Sequence, residues 1–413
     1  MSETRFHLWS QQAALYSALS FAFFIPISPA LMNLSLLFTL LFTLLAGNLR
    51  QHLNNAWHHP VSRAALLLFL LFASGTLWST VGFTEALKGL NKYNELWYIG
   101  LLMPLFTTRE RQQLGINTFL LSMTLILLLV YALYFGAIPE IHIPLSADHT
   151  TTLSLHGGFR SDIITNILMS FAVFIFAQRA LLSSTKGARW RYALLFLCSA
   201  NYAIFISSGT TGQILTIGLL NLLLIQHFPG KILFVIPLLL LTIVGYGTLN
   251  PESSFQEAVD KLAGGIHHDG GSASQRREFA ENSLLLIQES PWLGSGTGSF
   301  KQRYAALPQE RIRSYRPGNP HNEYLATTIQ LGLIGAIGLV ALFAIQLQQS
   351  LQPDEDLERR YLAQGLVALI IVASLGNSML MDSGEGHFWA FFSALLLFSR
   401  QEQRTSTPQH ANP

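Results

Sequence analysis

Gly318-Asn319-Pro320-His321-Asn322-Glu323-Tyr324-Leu325 runs without interruption into the apolar segment 326–347. Before it lies a long polar region, 249–322, and beyond it the chain is again mostly apolar. A spanning helix needs about 20 mostly apolar residues, so this stretch reads as the point where a chain re-enters a membrane. Working outward with the same criterion gives twelve candidate spans. They lie near 11–28, 30–47, 64–82, 93–107, 113–136, 161–180, 191–207, 211–228, 231–248, 323–347, 360–380 and 386–400. The expected fold is all-α, a polytopic integral membrane helical bundle of about 12 transmembrane helices. Residues 1–248 hold helices one to nine, and 249–322 form a periplasmic loop with short helices and the reactive residues. Residues 323–400 hold the last three helices, and 401–413 form a disordered polar tail on the cytoplasmic side.

Composition agrees with a membrane chain. Of 413 residues, 50% are hydrophobic and 12% charged, against roughly 25% charged in soluble domains. A net charge of +2 without basic clusters argues against nucleic acid. The single cysteine, Cys198, lies in an apolar run and supports no disulfide framework. The first apolar run lacks a small-residue cleavage site and is followed at once by another, so it reads as a retained helix. Lys and Arg gather in alternate connections: Arg50 and Arg63, Arg109 and Arg111, Arg179 to Arg191, Lys231, Arg359 and Arg360. The positive-inside rule makes that side cytoplasmic. The 249–322 loop then faces the periplasm of a bacterial inner membrane.

Within the loop, 274–289 reads as a helix stopped by Pro291, and 300–306 as a second short helix ended by Pro308. Between them, Gly294-Ser295-Gly296-Thr297-Gly298 reads as a flexible turn. His321 is the leading candidate for chemistry, because imidazole titrates near neutrality and accepts a hydroxyl proton. Asn322 is placed to cap the helix that begins near Glu323. Tyr324 reads as an interfacial aromatic or a contact for a lipid carrier. The loop arginines read either as solvated cations or as forks for phosphate oxygens. His142, His149 and His156 recur at intervals of seven, but Pro144, Gly157 and Gly158 interrupt any single helix there, so no metal site is expected. Asp382, Glu385 and His387 form an outer cluster that either lines an acceptor entry or satisfies a helix end.

The string Pro320-His321-Asn322-Glu323-Tyr324-Leu325, followed by Gln330-Leu331-Gly332-Leu333-Ile334-Gly335, resembles the signature of the O-antigen ligase and polymerase superfamily. Upstream, Arg276-x-Glu278-Phe279 and Pro291-Trp292-Leu293-Gly294-x-Gly296-x-Gly298-x-Phe300 resemble the same superfamily's loop pattern. The resemblance implies a glycosyltransferase that needs no cofactor, nucleotide or metal. It implies undecaprenyl diphosphate-linked polysaccharide as donor, lipid A-core as acceptor, and membrane lipids as surroundings. His321 then corresponds to a general base on the acceptor hydroxyl, and Arg276 to a diphosphate-holding arginine, with the adjacent Arg277 as the alternative counterpart. In one place the chain departs from the pattern: Ser208-Gly209-Thr210-Thr211-Gly212 carries Thr210 where the family often has arginine. Threonine donates a hydrogen bond but does not neutralise phosphate. Arg160, after Gly157-Gly158-Phe159, is a candidate substitute, and Lys88 and Lys92 are others. The rival readings are an O-antigen polymerase, which shares the loop chemistry, and a transporter. A transporter predicts ionisable residues near mid-membrane, where these spans are nearly free of charge.

Overall fold

The computed structural model describes residues 3–47, 49–146, 149–228, 230 and 272–397. The helices are α1 (Glu3–Phe24), α2 (Pro29–Leu45), α3 (Leu49–His58), α4 (Pro60–Gly75), α5 (Phe83–Asn91) and α6 (Glu95–Leu102). They continue with α7 (Arg109–Tyr134), α8 (Asp162–Leu182), α9 (Lys186–Asn201), α10 (Thr210–His227) and α11 (Ser272–Glu289). The chain closes with α12 (Phe300–Ala305), α13 (Glu323–Leu351), α14 (Leu357–Gly376) and α15 (Ser383–Leu396). Four of them, α7, α8, α13 and α14, are long and apolar enough to cross a membrane. Every other expected span within the described residues overlaps a helix, most of them shorter than expected. The span at 231–248 with Lys231, the loop from 249 to 271 with Lys261, His267 and His268, and the 401–413 tail lie outside the described residues. The bundle is helical as expected, with one addition. Strands β1 (Ile141–Ser146) and β2 (His149–Leu153) pair antiparallel in the connection after α7. The β-branched run Thr150-Thr151-Thr152 favours that extended ribbon.

The centre of the bundle is α8, whose residues from Thr165 to Arg179 are all buried. A helix that is apolar on every side belongs at a core. It packs against α9, α10, α14 and α15. Phe171 on α8 meets Phe388 and Phe392 on α15 edge to face at 5.4 and 4.9 Å. Ser161 starts α8 by accepting the Ile164 N–H, a side-chain cap on otherwise orphaned donors. At the other end of α8, Arg179 is held by Glu358 at 2.7 Å, Asn117 at 2.6 Å and Gln113 at 2.8 Å. This ties α7, α8 and α14 together at the end opposite the His321 signature. The Arg179 side chain is only 9% exposed. Arg179→Ala removes the cation paired with Glu358, leaving it only the Gln113 amide, and is expected to destabilise the protein by about 3–5 kcal/mol, read as a lower melting temperature in detergent.

The glycine run 294–298 is pinned in place, a correction to the flexible turn expected of it. Helix α13 breaks at Gly332, with φ 63° and ψ −160°, a conformation that favours glycine. The break frees carbonyls that a continuous helix would use internally. Ser295 donates its N–H to Ile329 O at 2.8 Å, and Gly296 donates to Gln330 O at 2.9 Å. Leu333 returns an N–H to Pro291 O at 2.8 Å. On the far side, Thr297 N–H reaches Gly75 O at 3.0 Å and its hydroxyl reaches Phe72 O at 2.6 Å. Ser79 donates its hydroxyl to Thr297 O at 2.8 Å. The loop is therefore a backbone staple between α4 and the broken α13. Small residues are required because a Cβ on Gly296 would overlap the Ser79 backbone, and one on Gly332 would overlap the Trp292 carbonyl. From this anchor α11 and α12 pack against α13.

Candidate active site

His321 is placed by the residues on either side of it. Asn319 accepts the His321 N–H on its side-chain oxygen at 3.0 Å. His321 itself adopts φ 50°, the one left-handed non-glycine residue among those described. Such a conformation costs on the order of 1–3 kcal/mol and collects at functional sites. Asn322 then turns extended and caps α13, accepting the Leu325 N–H at 3.0 Å. Its amide also donates to Leu375 O at 3.0 Å, near the end of α14. Glu323, fully buried, accepts the Leu380 N–H at 2.8 Å and the Thr327 hydroxyl at 3.2 Å. The signature thus fastens α13 to the α14–α15 connection.

The imidazole lies 5.8 Å from the Phe279 ring at 26°, a stacked arrangement. Tyr315 Oη stands 3.4 Å from Nε2. Burial, then the Arg276 guanidinium, hold the His321 pKa below its ordinary value, with the Asn377 side chain opposing them. A lowered imidazole pKa means a neutral ring at pH 7, able to accept a proton. Phe279 and Arg276 are three residues apart on α11 and share one face. Arg276 Nη2 reaches Thr211 Oγ1 at 3.4 Å in the first turn of α10. Burial pushes the Arg276 pKa down, the response of a cation held away from water without an ion partner.

Arg160 precedes α8 and turns its guanidinium over Gly384, at the start of α15. Burial lowers its pKa, and Glu385 opposes that shift. Its Nε and Nη1 are buried and have no hydrogen-bond partner. Glu385 accepts the Asn377 amide N–H at 3.1 Å. The turn carrying Thr210 is locked onto α8. Ser207 hydrogen-bonds Asn166, Ser208 donates to Asp162 at 2.8 Å, and Gly209 and Gly212 press on the Asn166 side chain. Gly209 precedes α10 without any side-chain cap, and Arg276 reaches the first turn of that helix at Thr211.

A comparison with known families matches residues 193–340 to the family described as O-Antigen ligase. The match covers about a third of the chain and supports the O-antigen ligase/polymerase superfamily. No curated protein matches it. The matched segment includes Thr210, Arg276 and His321; Arg160, Asn377 and Glu385 lie outside it.

The predicted residues divide into two groups. Arg276 reaches Thr211 beside Thr210 and acts on His321 through its charge, while Arg160 lies over Gly384 next to Glu385. Arg277, the alternative to Arg276, points away: its side chain is 80% exposed and pairs with Glu281 at 2.8 Å. Lys88, offered as a substitute cation, also stands apart, 67% exposed and paired with Glu85 at 2.6 Å. Lys92 instead lowers the pKa of Asp382, which burial raises to about 6. Tyr324 is a helix latch, donating its hydroxyl to Ile371 O at 3.0 Å and meeting Phe343 edge to face. Asn322 uses both ends of its amide for capping and for Leu375. His387 is buried against Glu95 on α6 at 3.0 Å. His156 bonds the Ile206 carbonyl at 3.0 Å, while the side chains of His142 and His149 lie outside those described. Sequence reasoning missed Tyr315 and Asn377, which carry no local signal of their own, and gave Phe279 no role although it stands in the quoted loop pattern. It ran past Glu323, although that residue sits inside the signature.

Proposed function

We propose that this chain is an O-antigen ligase. It transfers polysaccharide from undecaprenyl diphosphate to lipid A-core at the periplasmic face of the inner membrane, within a bundle of about 12 spans. The observation that carries the reading is a left-handed His321 stacked on Phe279, one helical turn from the half-buried Arg276, with the unpaired donors of Arg160 at the start of α15. The acceptor hydroxyl loses its proton to the imidazole and attacks the anomeric carbon. The bond from that carbon to the diphosphate oxygen breaks on the opposite side, inverting the centre, and the diphosphate leaves with the electron pair. Guanidinium groups suit that leaving group, because they fork onto phosphate oxygens and keep their charge. Buried donors already aimed at the developing charge do the work of transition-state stabilisation, with no nucleotide or metal required by the chemistry.

Thr210 fits this reading as a hydrogen-bond donor at an uncapped helix start, where N–H groups and the helix dipole favour anions. Arg160 supplies the second cation. Arg276→Ala is expected to weaken donor use by about 10²-fold, while Arg277→Ala, on the solvent face, stays within twofold of the parent protein. Membranes carrying each variant, assayed for transfer of carrier-linked polymer, separate the two.

Deleting the gene and examining lipopolysaccharide and carrier lipid tests the function. Loss of all polymer on lipid A-core, with polymer retained on carrier lipid, supports the ligase. Core capped by a single repeat unit identifies a polymerase, and an unchanged lipopolysaccharide overturns both.

A further inference from the structure

Helix α3 takes no part in the site, and none of its residues is buried. Its inner side is held: Ala56 lies against Gly100 on α6, where an added Cβ would come within 3.1 Å of the Ala56 methyl. The corner that follows is fixed by His59, whose Nε2 bonds Leu397 O at 3.2 Å, just past the end of α15. Beside that inner side, Leu49, Leu53 and Trp57 recur every four residues, and all three are exposed. The next positions round the helix, Arg50, Asn54 and His58, then Gln51 and Asn55, are exposed and polar. An exposed apolar stripe alongside an exposed polar face suits the plane of a membrane interface, not its hydrocarbon interior. At 10 residues α3 is about 15 Å long, too short to cross a membrane. The chain turns through 112° between α2 and α3.

Place and charge name the partner. Gly75, the last residue of α4, accepts the Thr297 N–H in the glycine staple. Helix α3, at the start of the same 16-residue helix, therefore lies about 24 Å away at the other end. Its apolar stripe continues the exposed leucines of neighbouring spans, Leu44 and Leu45 at the end of α2 and Leu67 on α4. The exposed Trp9 on α1 packs on Phe42 near that same end of α2, and tryptophan gathers at membrane–water interfaces. Between Glu3 and Glu85 the chain holds no Asp or Glu, and its Lys and Arg residues there are Arg5, Arg50 and Arg63. Arg50 in α3 and Arg63 in the first turn of α4 are exposed. We propose that α3 is an interfacial helix seated on an anionic phospholipid surface, with Leu49, Leu53 and Trp57 at the acyl-chain boundary and Arg50 and Arg63 on headgroup phosphates. Guanidinium forks match phosphate oxygens, and no carboxylate in this stretch competes for them. The seat anchors the start of α4, whose far end carries the staple.

The test uses the full-length protein in nanodiscs containing phosphatidylglycerol, with Cys198→Ser to leave one labelling site. Spin labels at Leu53→Cys and Asn55→Cys, on the two faces of α3, are read by their collisions with oxygen, which dissolves in lipid, and with a nickel chelate, which stays in water. The label at 53 is expected to favour oxygen and the label at 55 to favour nickel. Nickel-dominated collisions at both positions overturn the proposal. So does shielding from both reagents at 53 with spin–spin broadening, which identifies a second copy of the chain as the occupant. The charge is read separately, by photoactivatable phosphatidylglycerol and phosphatidylcholine whose crosslinks are mapped to the α3 peptide by mass spectrometry. The parent protein is expected to favour phosphatidylglycerol by about fivefold or more, and the double variant Arg50→Gln, Arg63→Gln to lose that preference. Equal crosslinking of the parent by both lipids, or a preference unchanged in the double variant, overturns the anionic partner. Both readouts are independent of transfer activity, so their outcome is separate from that of the ligase reading.

Discussion

His321→Ala is expected to lower transfer of polysaccharide to lipid A-core by about 10²–10⁴-fold, the usual contribution of a general base, while donor binding stays near that of the parent protein. The argument begins with the backbone. His321 stands at φ 50° between Asn319, which holds its N–H, and Asn322, which caps α13. A side chain held in a costly conformation by residues on both sides has its direction set before any substrate arrives. Its surroundings then set its protonation. Burial and Arg276 lower the imidazole pKa from 6.5, so the neutral form dominates at pH 7. The base form exists above the folded-state pKa, so activity should be flat through neutral pH. It should fall as pH drops through a midpoint below the ordinary imidazole value. His321→Gly separates chemistry from folding. It removes the ring but also relieves left-handed strain of about 1 kcal/mol, so its melting temperature should remain close to the parent's while its activity is lost. Purified protein in a reconstituted assay, with a pH series and a thermal melt on the same preparation, checks all of this. Parent-like activity in the alanine variant removes the base role.

Gly296→Val is expected to have the opposite profile, a loss of stability of about 3 kcal/mol or more with activity falling only because folded protein is lost. Gly296 has φ 86°, a genuine outlier for a β-branched residue. Its added Cβ would meet the Ser79 backbone, which has no flexible end to move aside. The neighbouring hydrogen bonds would then fail together: Ser295 to Ile329, Gly296 to Gln330, and Thr297 to Gly75 and Phe72. Each leaves a buried carbonyl or N–H without a partner, and such a group costs about 1–3 kcal/mol. The broken turn of α13 at Gly332 depends on the same bonds, so the damage reaches the helix that begins beside His321. Reduced yield and a depressed melting temperature are the readout. A variant with parent stability and specific loss of donor binding would show instead that the glycine loop touches substrate.

Several parts of the molecule are legible one residue at a time. Apolar runs mark the helices because lipid and core both exclude charge, and α8, α13 and α14 fall where those runs are. Asn322 reads as a cap from its position before an apolar helix, and the structure uses it so. Pro291 and Pro308 stop the two short helices near where proline must. The chain also shows what is missing at Thr210, since a charge absent from a turn is visible without any fold. The Gly294–Gly298 run was misread for a physical reason. Glycine permits both a mobile turn and a close backbone approach, and nothing within the run says which. Deciding between them takes the carbonyls that α13 releases at Gly332.

The sequence by itself therefore determined the class of protein, the succession of helices and the identity of the strongest candidate groups, because hydrophobic length, helix stops and side-chain chemistry are local properties. The tertiary structure alone decided which of those groups meet. It separated Arg276 from Arg277, two neighbours of identical chemistry, by turning one toward Thr211 and the other toward Glu281. It set Lys88 aside and placed Arg160 near Glu385. It brought the α14–α15 region to the signature, where Asn322 donates to Leu375 O and Glu323 accepts the Leu380 N–H. Hydrogen bonds and charge interactions act across a few ångströms of space, and only the packing of α8, α10, α11, α13 and α15 brings residues so far apart in the chain within that reach.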